Sequence, residues 1–136
     1  NRAAVRDLTE VRANLDRNRE QLVDLRSAGR FAGTEPEPRR GVRPGHVPGS
    51  KNVPYTELVR LDGTILPKQE LRQRLEAAGV DLSRPIVATC GSGTSACALV
   101  LGLELLGQRN TAVYDGAWTE WGGRADTPVE TGSQEV

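Results

Sequence analysis

Cys90 is followed by Gly91, Ser92, Gly93, Thr94 and Ser95, and this run of a thiol, two glycines and three hydroxyls is the stretch of the chain best suited to chemistry. Ile86-Val87-Ala88-Thr89 leads into it as a buried strand, and a strongly apolar helical stretch leaves it, so the unit reads strand, tight loop, helix. Gly91 and Gly93 permit backbone conformations closed to other residues, and successive N–H groups can then converge into an anion-binding nest. The helix start adds its positive end and unsatisfied donors, which favour a thiolate, a persulfide anion or an anionic substrate. A cysteine so placed has its pKa lowered and becomes a nucleophile near neutral pH. Ser92 and Thr94 or Ser95 can add hydroxyl donors. The competing reading is a buried core cysteine at a strand end; two flanking glycines and the hydroxyls argue against it. Phosphatases also cradle an anion over a cysteine in such a loop, with an arginine six positions later, but that position here is Ala96.

The rest of the chain bounds the setting. Its 136 residues suit one domain, 1–136, with one sizeable core. Lysine plus arginine balances aspartate plus glutamate at 18 each, so no global field favours nucleic acid or an anionic membrane surface. No apolar run approaches the roughly 18 residues of a membrane span. The start, Asn1-Arg2-Ala3, lacks a basic-then-apolar secretory pattern, so the expectation is a soluble cytoplasmic protein. The absence of methionine leads to the expectation that the sequence begins partway into a longer chain or at a processed end. Two cysteines are too few for a disulfide scaffold, which leaves reactive-thiol chemistry. No metal or organic cofactor is expected.

Apolar runs and helical patterns alternate, as in an α/β domain. Asp7-Leu8-Thr9-Glu10 resembles a capping box opening a short helix through Val11 and Leu15. Gln21 to Leu25 reads as a buried strand whose carboxyl end delivers Asp24 and Arg26, and Ser27 caps a helical turn reaching Phe31. Gly33 to Gly49, with prolines 36, 38, 44 and 48, reads as an ordered irregular loop. Lys51 to Val53 is a short strand, Tyr55 to Val59 a helical turn, and Lys68 to Ala78 a helix closed by Gly79. Thr94 to Leu106 is a helix so apolar that burial nearly all round is expected. Ala112 to Tyr114 is the last strand, and Asp115-Gly116 turns the chain into the short helix Ala117 to Trp121.

The segment Cys90-Gly91-Ser92-Gly93-Thr94-Ser95-Ala96-Cys97 closely resembles the active loop of the rhodanese family, in its 3-mercaptopyruvate sulfurtransferase branch. Further stretches agree in order along the chain: Asp24-Leu25-Arg26 with Gly29-Arg30-Phe31; Gly33 to Arg39; Gly45-His46-Val47-Pro48-Gly49 with Asn52-Val53-Pro54; and Tyr114 to Trp118 with Glu120-Trp121. The resemblance implies a rhodanese-like fold: a central parallel sheet of about five strands, helices on both faces, and the active loop at the strands' carboxyl ends. It implies that Cys90 carries sulfur as a persulfide, that Arg30 and Arg39 hold the donor's carboxylate and keto oxygen, and that Gly91, Ser92, Gly93, Thr94 and Ser95 line the anion site. Arginine suits this because its planar fork pairs bidentately with carboxylate. The expected acceptor is a thiol such as thioredoxin, or cyanide in an assay. In related enzymes the serine matching Ser92 joins a relay with histidine and aspartate from a preceding, silent rhodanese domain, and the expectation is that this sequence is the half without it. A loop without basic side chains suits a monocarboxylate better than dianionic thiosulfate. Thiosulfate sulfur transfer, and a persulfide carrier without turnover, remain the alternatives.

Other residues read as structure. Asp24 and Arg26 are placed to brace the loop, and His46, the only histidine, reads as framework. Arg40 and Arg43 read as surface charges. Cys97 is a candidate resolving thiol, with core filler the favoured reading. Trp118 and Trp121 read as packing against the sheet.

Overall fold

A computed structural model describes residues 4–91 and 95–133. The strands Ala4–Arg6 (β1), Gln21–Asp24 (β2), Lys51–Asn52 (β3), Ile86–Thr89 (β4) and Thr111–Tyr114 (β5) form one sheet in the order β1-β5-β4-β2-β3. Every pairing is parallel. Helices Leu8–Arg17 (α1), Ala28–Ala32 (α2), Lys68–Ala77 (α3), Ala96–Leu105 (α4) and Ala117–Gly123 (α5) connect and cover it. Among the described residues no helix is long and apolar enough to cross a membrane.

Alternation along the strands sorts the side chains between two cores. Val23, Ile86, Ala88 and Val113 meet Leu71 and Leu75 of α3 and Leu99, Val100 and Leu103 of α4. Leu22, Val87, Ala112 and Tyr114 meet Val11 of α1 and Trp118 and Trp121 of α5. Both faces of the sheet are therefore covered, which is why β2 and β4 are buried at every residue. The chain leaves β2 outward to β3, then returns to the other side of β2 as β4. The carboxyl ends of β2 and β4 thus flank a topological switch point, where open α/β sheets form their ligand crevices. Asp24 pairs with Thr89 there, and Cys90 is the next residue.

Local chemistry explains most element ends. Asp7 accepts from the Glu10 N–H at 2.8 Å while the Glu10 carboxylate accepts from the Asp7 N–H at 3.1 Å, completing the capping box. Ser27 caps α2 through its bond from the Arg30 N–H. Pro67 stands at the cap of α3, and Gly79 follows it with φ +87°.

Two elements depart from the sequence reading. The β1 strand has no counterpart in the sequence reading: Ala4-Val5-Arg6 is a three-residue edge strand with Val5 56% exposed, so neither an apolar run nor strict alternation marks it, and only its pairing with β5 makes it a strand. Helix α4 is not buried all round. Ala96, Leu99, Val100, Gly102 and Leu103 pack inward, whereas Cys97, Leu101 and Leu105 face outward. Composition reports total apolarity, but α4 packs one face on the sheet and α3. Cys97 is therefore exposed and is not core filler. The expected first residue of that helix, Thr94, lies outside the described residues.

Candidate active site

Cys90 leaves the end of β4 with only 4% of its surface exposed. Its carbonyl accepts from the Trp118 N–H at 2.9 Å. The Gly91 carbonyl accepts from the Thr119 N–H at 3.2 Å and from Thr119 Oγ1 at 2.6 Å. The loop's first two residues are thus gripped by the first turn of α5. Ala117, just before them, lies in the left-handed region at φ +56° with its methyl fully buried. Such a conformation is strained for alanine and persists because the surrounding packing holds it.

Arg30 reaches the same loop from α2. Its Nε and Nη2 donate to the Glu37 carboxylate at 3.3 and 2.8 Å. A methyl group on Gly91 would lie 2.9 Å from Arg30 Nη2 and 3.3 Å from Nη1, so the guanidinium end rests directly over the residue after the cysteine. With one edge of the fork given to Glu37, the other is left toward the cleft. The hydrogen bonds to Glu37 hold the Arg30 pKa above its ordinary value against partial burial, and Asp24 and Cys90 add weaker attraction. Arg39 stands exposed at the same cleft and makes no ion pair among the described residues. Arg30, Glu37, Pro38, Arg39, Val42, Gly91 and Thr119 together enclose a shallow cleft of about 240 Å³.

Behind Arg30 lies a buried network. Arg26, 3% exposed, forks onto Asp24, with Nη2 to Oδ2 at 2.8 Å and Nε to Oδ1 at 3.1 Å. It also donates to the Gly45 carbonyl at 2.6 Å and to Glu37 Oε2 at 3.3 Å, and its guanidinium lies 4.5 Å from the Trp118 ring centre. Glu37 therefore binds two arginines with a side chain only 3% exposed. The strand-end pair Asp24–Arg26 braces the loops around the cleft, as expected of it.

His46 is framework too. Its Nδ1 pairs with the Phe31 carbonyl at 2.7 Å, its ring stacks on Phe31 at 3.7 Å, and its backbone pairs with Glu130. Gly45 beside it has φ +120°, and a side chain there would strike the Glu130 carbonyl at 2.5 Å, so only glycine lets the carboxyl-terminal strap cross. Trp118 and Trp121 pack against the sheet, and their indole N–H groups donate to the carbonyls of Arg43 and Pro128.

Among the sequence-derived candidates, Cys90, Gly91, Arg30 and Arg39 gather at one place. Ser92, Gly93 and Thr94 lie outside the described residues. Ser95 opens α4, half-buried, and its side chain makes no capping bond. Arg43 is a correction. It is not a surface charge: its guanidinium donates to the carbonyls of Gly122, Trp121 and Arg124 and to Thr127 Oγ1, closing the end of α5. Glu37 and Thr119 are additions. Glu37 is visible in the sequence only as part of the Gly33–Arg39 motif, and Thr119 only as a residue of the short helix that follows the Asp115-Gly116 turn. A larger recess, about 380 Å³, lies at the amino ends of β2 and β3 near Leu15, Gln21 and Lys51, away from the thiol.

The rhodanese-like domain family matches residues 7–124. The chain is similar to 3-mercaptopyruvate sulfurtransferase of Rattus norvegicus, 51% identical over 116 residues, covering 85% of the chain and 39% of that protein. It is also similar to thiosulfate sulfurtransferase of Bos taurus, 43% identical over 132 residues, covering 96% of the chain and 44% of that protein. Among solved structures, the yeast mitochondrial complex I sub-stoichiometric sulfur transferase subunit superposes with a TM-score of 0.83 at 37% identity, covering 96% of the chain and 46% of that one. The chain thus spans less than half the length of each of these relatives.

Proposed function

Because this chain belongs to the rhodanese family, we propose that it moves sulfane sulfur from 3-mercaptopyruvate through a persulfide on Cys90 to a thiol acceptor. The observation that carries the reading is the Arg30 guanidinium lying over Gly91, with Arg39 lining the same cleft, beside a cysteine at the sheet's switch point. A carboxylate bridging two guanidinium groups brings its own sulfur to the strand end.

The steps then balance. The Cys90 thiolate attacks the sulfur of 3-mercaptopyruvate and the carbon–sulfur bond breaks. The electron pair passes to the carbon as a pyruvate enolate, stabilised by its carbonyl beside the arginines. The enolate takes up a proton to give pyruvate, and the persulfide ionises and releases one. An acceptor thiolate such as that of thioredoxin, or cyanide, attacks the outer sulfur and restores the Cys90 thiolate. Ser92 and the amides of the loop serve the anionic sulfur. In this reading a preceding rhodanese domain closes the other side of the cleft.

Turnover with 3-mercaptopyruvate and with thiosulfate, each with a thiol acceptor, tests the donor. The reading expects a higher kcat/KM for 3-mercaptopyruvate, since Gly91-Ser92-Gly93 offers no cationic side chain to a dianion. A strong thiosulfate preference overturns the donor assignment. Persulfide loading without turnover makes the chain a carrier.

A further inference from the structure

The geometry points to Thr119 as a positioning residue for the sulfur-bearing loop. Its N–H and its hydroxyl both donate to the Gly91 carbonyl, at 3.2 and 2.6 Å, and the Trp118 N–H takes the Cys90 carbonyl at 2.9 Å. Two consecutive carbonyls, starting at the cysteine itself, are thereby drawn onto α5. All described peptide bonds are trans, and in a trans peptide C=O and N–H point in opposite directions, so pinning the Cys90 carbonyl turns the Gly91 N–H away from α5. Glycine at 91 has no Cβ to enforce its own conformation, so the orientation of its carbonyl depends on these outside donors. A carbonyl oxygen released from Thr119 could rotate toward the cleft and set its partial negative charge near an anionic sulfur. Thr119 is half-buried and lines the same cleft as Arg30 and Arg39. The far end of its helix is closed by Arg43, and Trp118 is seated under Arg26, so the anchor is itself held rigidly.

The consequence for catalysis rests on the sulfur-transfer reading, whereas the anchoring of a thiolate does not. The test uses a Cys97→Ala background, so that Cys90 alone is the thiol measured. Thr119→Val removes the hydroxyl at similar volume, Thr119→Ala removes it without adding a methyl, and Thr119→Ser keeps it. Loss of one hydrogen bond should move the pH midpoint of Cys90 alkylation upward by roughly half to one unit. Persulfide formation should slow about fivefold with the donor KM nearly unchanged, because the anchor acts on the loop and not on the carboxylate. Thr119→Ser should restore both readouts. If the Val and Ala variants change only the urea midpoint while the pH profile and kcat stay as in the background protein, the inference is overturned. If the background protein takes up no sulfur yet the alkylation profile shifts as described, the sulfur-transfer reading falls and the anchoring role stands.

Discussion

Gly91→Ala is a one-methyl perturbation whose target is visible in the geometry. The new methyl would sit 2.9 Å from Arg30 Nη2 and 3.3 Å from Nη1, both closer than the roughly 3.5–4.0 Å optimum for packed heavy atoms. Gly91 is not among the glycines with positive φ, so the substitution carries no left-handed backbone penalty. The conflict therefore falls on the guanidinium, which must withdraw by about half an ångström or more. It is not free to swing, because Glu37 holds it at 2.8 and 3.3 Å and is itself held by Arg26. A shift of that size weakens by about half a charged hydrogen bond from Arg30 to the donor carboxylate worth about 1.5–3 kcal/mol, a cost of about 1–1.5 kcal/mol. That corresponds to a kcat/KM for 3-mercaptopyruvate lower by roughly tenfold, carried mostly by KM. The urea midpoint should hardly change, since the Arg30 side chain is 27% exposed and the core is untouched. Steady-state kinetics of a double-mutant cycle checks the cause: in an Arg30→Ala background, Gly91→Ala should add little. Additive losses in the cycle, or a Gly91→Ala enzyme with wild-type kinetics, would refute the placement of Arg30 over the loop.

Glu37→Gln should lower stability by about 2–3 kcal/mol in urea unfolding, because two arginines lose their shared buried carboxylate while Arg26 keeps Asp24. Donor KM should rise with it, as Arg30 loses its tether. Arg43→Ala should cost about 2–3 kcal/mol by the same measurement, since a half-buried guanidinium that closes the end of α5 through several carbonyls is removed; a surface charge would cost almost nothing. Tyr114 gives the alkaline limit. Burial first, and then its hydrogen bond to Glu120 at 2.6 Å, push its pKa well above the ordinary 10.0. The folded protein keeps the phenol proton at a pH where the unfolded chain releases it, so this contribution is complete below pH 10 and declines as pH rises beyond it. Urea midpoints between neutral pH and pH ~11 should fall more steeply for the wild type than for Tyr114→Phe, and parallel curves would exclude the effect.

The parts of the fold and site that were legible in the sequence are those with local causes. The capping box at Asp7, the buried runs of β2 and β4, the cysteine at the end of β4 and the glycine after α3 each follow from residues adjacent in the chain. Arg30 and Arg39 were singled out by resemblance to a family motif, since nothing about an arbitrary arginine distinguishes a clamp from a solvated charge. What escaped depends on partners distant in sequence. β1 exists through its pairing with β5, and Arg43 is engaged by the Gly122 carbonyl 79 positions further on. Glu37 matters because two arginines from other elements converge on it. The outward face of α4, with Cys97, reflects how the helix docks, which apolar composition cannot report.

The most direct measurement is the intact mass of the protein after exposure to 3-mercaptopyruvate, followed by peptide mapping of the added mass. A persulfide on Cys90 predicts a gain of one sulfur atom, located on the peptide that contains Cys90, lost again on adding cyanide or a reduced thiol, and absent from Cys90→Ser. An unchanged mass, sulfur found on the exposed Cys97 instead, or an equal gain in Cys90→Ser would contradict it.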